Sequence, residues 1–124
     1  MTNLSEKYLD SFKLEEMARL GKIDNIDVRV YTEPLGNPSV HLVTKKYEIV
    51  IELKNLYILE IKKNDKSKYK FKKNEELPSD IKKSVMSLLL SKHKGINLTM
   101  REYLLTLWND NNPGFEIKDS YFNW

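Results

Sequence analysis

Cysteine is absent from the 124 residues. That excludes a disulfide scaffold, thiolate zinc and iron–sulfur ligation, and cysteine nucleophiles. Glycine is scarce, at four well-separated residues, so the backbone offers no glycine-rich phosphate loop. Histidine occurs only twice, as His41 and His93, and two isolated histidines do not provide metal-ligand spacing. Arginine supplies only Arg19, Arg29 and Arg101 among 21 cationic side chains. It is the better reader of phosphates and base edges, so its scarcity argues against sequence-specific nucleic-acid recognition. No apolar run approaches the roughly 18 residues of a membrane span, and no secretory leader pattern opens the chain. No H-E-x-x-H, nucleophile elbow or comparable motif occurs. These absences give the expectation of no cofactor, no metal, no catalytic set and no membrane partner.

Forty per cent of the residues are hydrophobic and 31% are charged, enough to bury a core. The length suits one domain over residues 1–124, since domains commonly run to about 100–150 residues. The lysine excess and the 11 asparagines match an AT-rich coding bias, so lysine abundance alone says little. The distribution of charge says more. Residues 1–61 carry eight cations and ten acids, and residues 74–124 carry six and seven. Residues 62–73 carry seven lysines (62, 63, 66, 68, 70, 72 and 73) against Asp65 alone. The overall +3 is therefore a +6 segment on a slightly acidic background.

Apolar spacing predicts a helix over Leu4–Leu20, through Leu9, Phe12, Met17 and Leu20, with Gly21 as its C-terminal cap. From Ile26 the period becomes two: Ile26, Val28 and Val30, then Val40 and Leu42 after a Pro34–Pro38 loop. Tyr47, Ile49, Ile51 and Leu53 form the clearest half-buried strand, and Tyr57, Leu59 and Ile61 the next. Lys54-Asn55 reads as a two-residue hairpin turn between them. Tyr69 and Phe71 read as a short fifth strand with lysines on its other face. Pro78 then opens a helix carrying Ile81, Val85, Leu88 and Leu89, with Lys92, His93 and Lys94 near its end. Thr99 and Glu102 form a capping box for a last helix striped by Met100, Tyr103, Leu104, Leu107 and Trp108. Residues 113–124 form an aromatic tail with Phe115, Tyr121, Phe122 and Trp124. The expected fold is α+β: an antiparallel sheet of about five meander strands, with an N-terminal helix and two C-terminal helices on one face.

Ser39 and His41, two apart on a strand, share a face with Cβ atoms within roughly 7 Å. With Asp27 or Glu48 reaching across they make a candidate polar site, though ordinary strand residues account for them more readily. Glu48, Glu52 and Glu60 read as a solvated face more readily than as paired catalytic acids. The lysine strip Lys68, Lys70 and Lys72 has three readings: edge protection, an acidic protein partner, or a nucleic-acid backbone. Tyr121, Phe122 and Trp124 either fold back on the helices or dock into a partner or a second copy of the chain.

Arg29-Val30-Tyr31 and Gly36-Asn37-Pro38-Ser39-Val40-His41-Leu42-Val43 are the residues of a resemblance. Together with the Tyr47–Ile61 hairpin, the Leu77-Pro78 step, His93 and Trp108, they resemble a family of small bacterial and phage-borne domains of unknown function. That family carries an N-P-P-H-F-H-V-like segment and often lies beside toxin–antitoxin partners. The likeness covers about residues 26–108, and the family's first histidine falls at Ser39. It implies the same element order and a phage or mobile-element setting, and no reaction. The resulting expectation is a non-enzymatic protein-interaction module in the host cytoplasm or virion, with Lys68, Lys70 and Lys72 and the tail residues Tyr121, Phe122 and Trp124 as its partner-binding surfaces. Its function would be that of a virion component, a host-defence inhibitor or a toxin–antitoxin partner. The alternative is a nucleic-acid-associated protein using Lys62–Lys73.

Overall fold

The computed structural model describes residues 16–31, 38–93, 95, 97–114 and 116–124. Five strands pair in sequence order as an antiparallel meander: β1 (Glu16–Ile23), β2 (Ile26–Tyr31), β3 (Ser39–Val43), β4 (Tyr47–Glu52) and β5 (Ile58–Asn64). Two helices follow, α1 (Ser79–Leu89) and α2 (Met100–Asn111), then a 3₁₀ turn at Asp119–Tyr121. The α+β class and the five-stranded antiparallel sheet agree with the sequence reading.

The membership of the sheet differs from that reading. Glu16–Ile23 is a strand, so the predicted helix does not extend over its C-terminal part; residues 4–15 of that prediction lie outside the described residues. Ile23 and Ile26 close a tight hairpin over Asp24 and Asn25, at φ 49° and 69°. Two positive φ values in a two-residue turn match the right-handed twist of the flanking strands, and Asp and Asn tolerate them best after glycine. Gly21 is not a helix cap. It sits at φ +132°, beside a register shift in β1, a conformation that only glycine adopts without strain.

The β4–β5 connection is also wider than a two-residue turn. The Glu52 N–H donates to the Tyr57 carbonyl and the Leu56 N–H to the Glu52 carbonyl, each at 2.8 Å, so four residues form the loop. Leu56 takes φ +62° there, at a cost of about 1–2 kcal/mol for a side chain with a Cβ. Leu53 and Leu56 are both buried, and each contributes about 1.5–3 kcal/mol by leaving water. Burial therefore outweighs the strain and holds the turn against the core.

One sheet face carries Val28, Val40, Leu42, Ile49, Ile51 and Ile58, and α1 covers it with Ile81, Val85 and Leu89 at spacings of four. Leu104 of α2 joins this cluster, and Leu105 is buried beside it. The capping box at the start of α2 is complete. The Glu102 N–H donates to Thr99 Oγ1 at 3.1 Å, and the Thr99 N–H donates to Glu102 Oε1 at 2.8 Å. Lys92 and His93 lie past the last turn of α1 rather than in it. His93 instead packs its ring on Tyr103 at 4.1 Å. Among the described residues, no helix is long and apolar enough to cross a membrane.

Candidate partner-binding surface

Residues 65–78 are not a strand. They leave β5 at Asn64 and return to it, where Asn74 donates its N–H to the Ile58 carbonyl and Ile58 donates to the Glu75 carbonyl. Side chains hold the start of this excursion. Asn64 Nδ2 donates to the Tyr69 carbonyl at 3.1 Å, Ser67 Oγ donates to Asn64 Oδ1 at 2.6 Å, and the Tyr69 N–H donates to Ser67 Oγ at 3.2 Å. The aromatics face inward as the alternation implied. Phe71 lies 4.9 Å from Tyr47 and 5.4 Å from Tyr69, in edge and stacked geometries. The Tyr69 hydroxyl donates to Asp80 Oδ2 at 2.5 Å, tying the loop to the first turn of α1. That bond pushes the Tyr69 hydroxyl up to about 12 and holds the Asp80 carboxyl below its usual range.

All seven lysines of residues 62–73 are exposed. Two make loose ion pairs, Lys63 with Asp65 at 3.8 Å and Lys68 with Asp80 at 3.9 Å. The other five make no ion pair among the described residues. The result is a basic ribbon whose backbone is anchored by the buried Phe71 and the half-buried Tyr69. The edge-strand reading is corrected with it: the sheet edge beside the ribbon is β5 itself, with Lys62 and Lys63.

Ser39 and His41 lie on the other sheet face. His41 faces Arg29 on β2 and Val50 on β4 in register, and Ser39 faces Glu52. Glu48 does reach His41, with Oε2 at 3.6 Å from Nδ1. Asp27 is turned to Arg29, whose Nη2 and Nε donate to it at 2.7 and 3.1 Å. The side chains of His41 and Asp27 are buried, at 2% and 8% exposure, while those of Glu48 and Arg29 keep 31% and 27%, so the imidazole itself presents almost no surface. Among the described residues, no cluster of three or more His, Asp or Glu side chains could hold a metal ion.

The tail folds onto the β4–β5 loop and α2. Trp124 Nε1 donates to the Leu53 carbonyl at 2.8 Å, and the Asn123 N–H donates to the Lys54 carbonyl at 2.9 Å. The Arg101 guanidinium lies over Phe122 at 4.3 Å and Trp124 at 4.8 Å, and donates to the Trp124 main-chain oxygen. Lys54 Nζ stands 5.8 Å from the Tyr121 ring. Burial pushes the Tyr121 hydroxyl up to about 12, with Glu52 adding to the shift. Upstream, Asn109 holds Ile117 by both backbone groups, at 2.8 and 3.0 Å. Tyr121, Phe122 and Trp124 are thus half-buried within the domain, while Phe115 lies outside the described residues.

One feature had no sequence signal. Where the β1–β2 and β3–β4 turns approach residues 67–69 and the start of α1, they border an open cleft of about 1110 Å³. Lys22, Lys45 and Lys46 stand on its rim, beside Lys68 of the ribbon. They come from segments far apart in sequence, so no local pattern joins them. No protein family, curated protein or solved structure matches this chain.

Proposed function

We propose that this chain is a small non-enzymatic interaction module that recognises an acidic protein surface through residues 62–73. The observation that carries the reading is the anchored basic ribbon: exposed lysines on a loop whose aromatics and hydrogen bonds fix it to the core. A fixed loop loses less conformational freedom on binding than a free lysine tail would. Lys68, Lys70 and Lys72 are its central contacts. The tail aromatics are engaged with Arg101 and the β4–β5 loop, so the reading assigns them to the fold rather than to the partner surface. The resemblance at residues 26–108 adds a phage or mobile-element setting to the proposal, in which the acidic partner is a virion, host-defence or toxin–antitoxin protein.

The second reading is backbone contact with nucleic acid, favoured by the density of seven cations in twelve residues. Titration with poly-glutamate and with oligo-dT over a salt series separates the two. An acidic-protein surface gives tighter binding to poly-glutamate. The nucleic-acid reading gives tighter binding to oligo-dT, with log affinity falling by about 0.7 per phosphate contacted for each tenfold rise in salt. Absence of binding to both at low salt refutes both readings.

A further inference from the structure

We propose that the cleft beside the ribbon is the anchor pocket of the same surface, taking one apolar side chain of an acidic peptide segment while Lys22, Lys45 and Lys46 hold its flanking carboxylates. The inference rests on the acidic-partner reading and goes beyond it by naming where and how the partner docks.

The charge of the cleft carries the argument. Three carboxylates line it, and each is already engaged. Asp24 accepts from the Ser84 hydroxyl. Asp27 accepts from Arg29 at 2.7 and 3.1 Å. Asp80 accepts from the Tyr69 hydroxyl at 2.5 Å and from the Ile81 N–H at 2.9 Å. Lys22, Lys45 and Lys46 are exposed and make no ion pair among the described residues. A hydrogen bond from a hydroxyl leaves a carboxylate's charge in place, so the balance is Lys22, Arg29, Lys45, Lys46 and Lys68 against Asp24, Asp27 and Asp80, a net positive cleft that Lys68 continues into the ribbon.

Val43 and Tyr69, both half-buried, give the cleft its apolar surface, while Ile26, Tyr47 and Ile81, at 4%, 5% and 3% exposure, add little. A rim of ammonium groups over an aliphatic and aromatic floor fits an apolar side chain flanked by acids. The rim is also ordered. Asp24-Asn25 form the tight β1–β2 turn, and Thr44 Oγ1 accepts from the Lys46 and Tyr47 N–H groups at 3.1 and 3.0 Å. A nucleobase finds little to stack on. Tyr47 is almost fully buried, and the Tyr69 ring is stacked on Phe71 and contacted by Lys68 Nζ at 5.1 Å.

The test uses a synthetic peptide of alternating Glu and Asp around one central Phe, a control with Ser for Phe, and a dodecamer of dT. Binding is followed by NMR on the full chain, with Lys45→Glu/Lys46→Glu and Lys70→Glu/Lys72→Glu variants checked for folding by circular dichroism. The proposal expects shifts at Ile26, Val43 and Ile81. It also expects a loss of about tenfold or more on replacing Phe by Ser, and a comparable loss in the Lys45/Lys46 variant. Unchanged binding by the Lys45/Lys46 variant, with loss only in the Lys70/Lys72 variant, overturns the pocket and leaves the acidic-partner reading intact. No peptide binding at low salt overturns both. Tighter dT binding with the same shifts assigns the cleft to nucleic acid and overturns the proposal.

Discussion

Replacing Trp124 by Ala tests whether the tail belongs to the fold. Three interactions disappear together. The indole N–H loses its 2.8 Å bond to the Leu53 carbonyl, worth about 0.5–1.5 kcal/mol net. The Arg101 guanidinium, 4.8 Å from the ring, loses a contact worth about 0.5–1 kcal/mol. A fully buried Trp→Ala costs about 3–5 kcal/mol, and this ring is only half-buried, so about 1–2 kcal/mol is its share. These terms overlap, and about 2–3 kcal/mol is the expected total. For a domain of this length each kcal/mol moves the melting temperature by about 3–5 °C. Circular dichroism melts should therefore place the variant about 6–15 °C below the parent, with a matching fall in the urea midpoint. Arg101→Ala should lose part of the same energy, and the double variant less than the sum. A Trp124→Ala protein melting within about 1–2 °C of the parent would refute the docked tail and return the aromatics to the partner surface.

Three further outcomes follow from the same geometry. Thr99→Ala breaks the capping box of α2 and should destabilise the domain by about 0.5–2 kcal/mol in urea unfolding, with Thr99→Ser recovering most of it. Gly21→Ala places a Cβ at φ +132°, where the surrounding space is open but the backbone is not, so a loss of about 1 kcal/mol or more should arise from strain alone. Tyr47, Tyr69 and Tyr121 have hydroxyls raised to about 12 in the fold. A raised value favours the protonated form, so their contribution is complete below the ordinary tyrosine value of 10.0 and is lost as pH rises from there through about 12. Tyrosinate absorbance should show late-titrating hydroxyls that merge with the others on unfolding, and Tyr69→Phe should remove one. Asp80 runs the opposite way: its contribution is present above the ordinary carboxyl value of 3.8 and falls away as the pH drops below it.

Much of the sheet was legible because its strands alternate. Ile26, Val28 and Val30, and Tyr47, Ile49, Ile51 and Leu53, are buried on one face as their period of two requires. The spacing of Ile81, Val85 and Leu89 and the Thr99–Glu102 pair likewise located both helices. β1 was not legible. Its Leu20 fits a helical spacing with Met17 and Phe12, and Gly21 mimics a helix cap. What makes it a strand is the turn at Asp24-Asn25 and its pairing with β2, a tertiary effect. At residues 69–71 the alternation correctly sent aromatics in and lysines out. The pairing failed to follow, because side chains and the backbone at 74–75 hold this segment instead of a ladder. The His41–Glu48 approach was anticipated as a reach across strands, but not the near-complete burial of His41. The cleft depends on three turns meeting in space and left no trace in the sequence.

The lysine ribbon is tested most directly by charge reversal in two variants of equal net charge. A Lys68→Glu/Lys70→Glu/Lys72→Glu chain and a Lys83→Glu/Lys92→Glu/Lys118→Glu chain should be titrated side by side with poly-glutamate at low salt. Exposed ion pairs contribute about 0.2–1 kcal/mol each, and reversal adds repulsion, so the ribbon variant should bind at least about tenfold more weakly than the parent. The second variant should bind within about threefold of the parent, since its loss would be only the general field. Equal losses in the two variants, or undiminished binding by the ribbon variant, would contradict the assignment of partner recognition to residues 62–73.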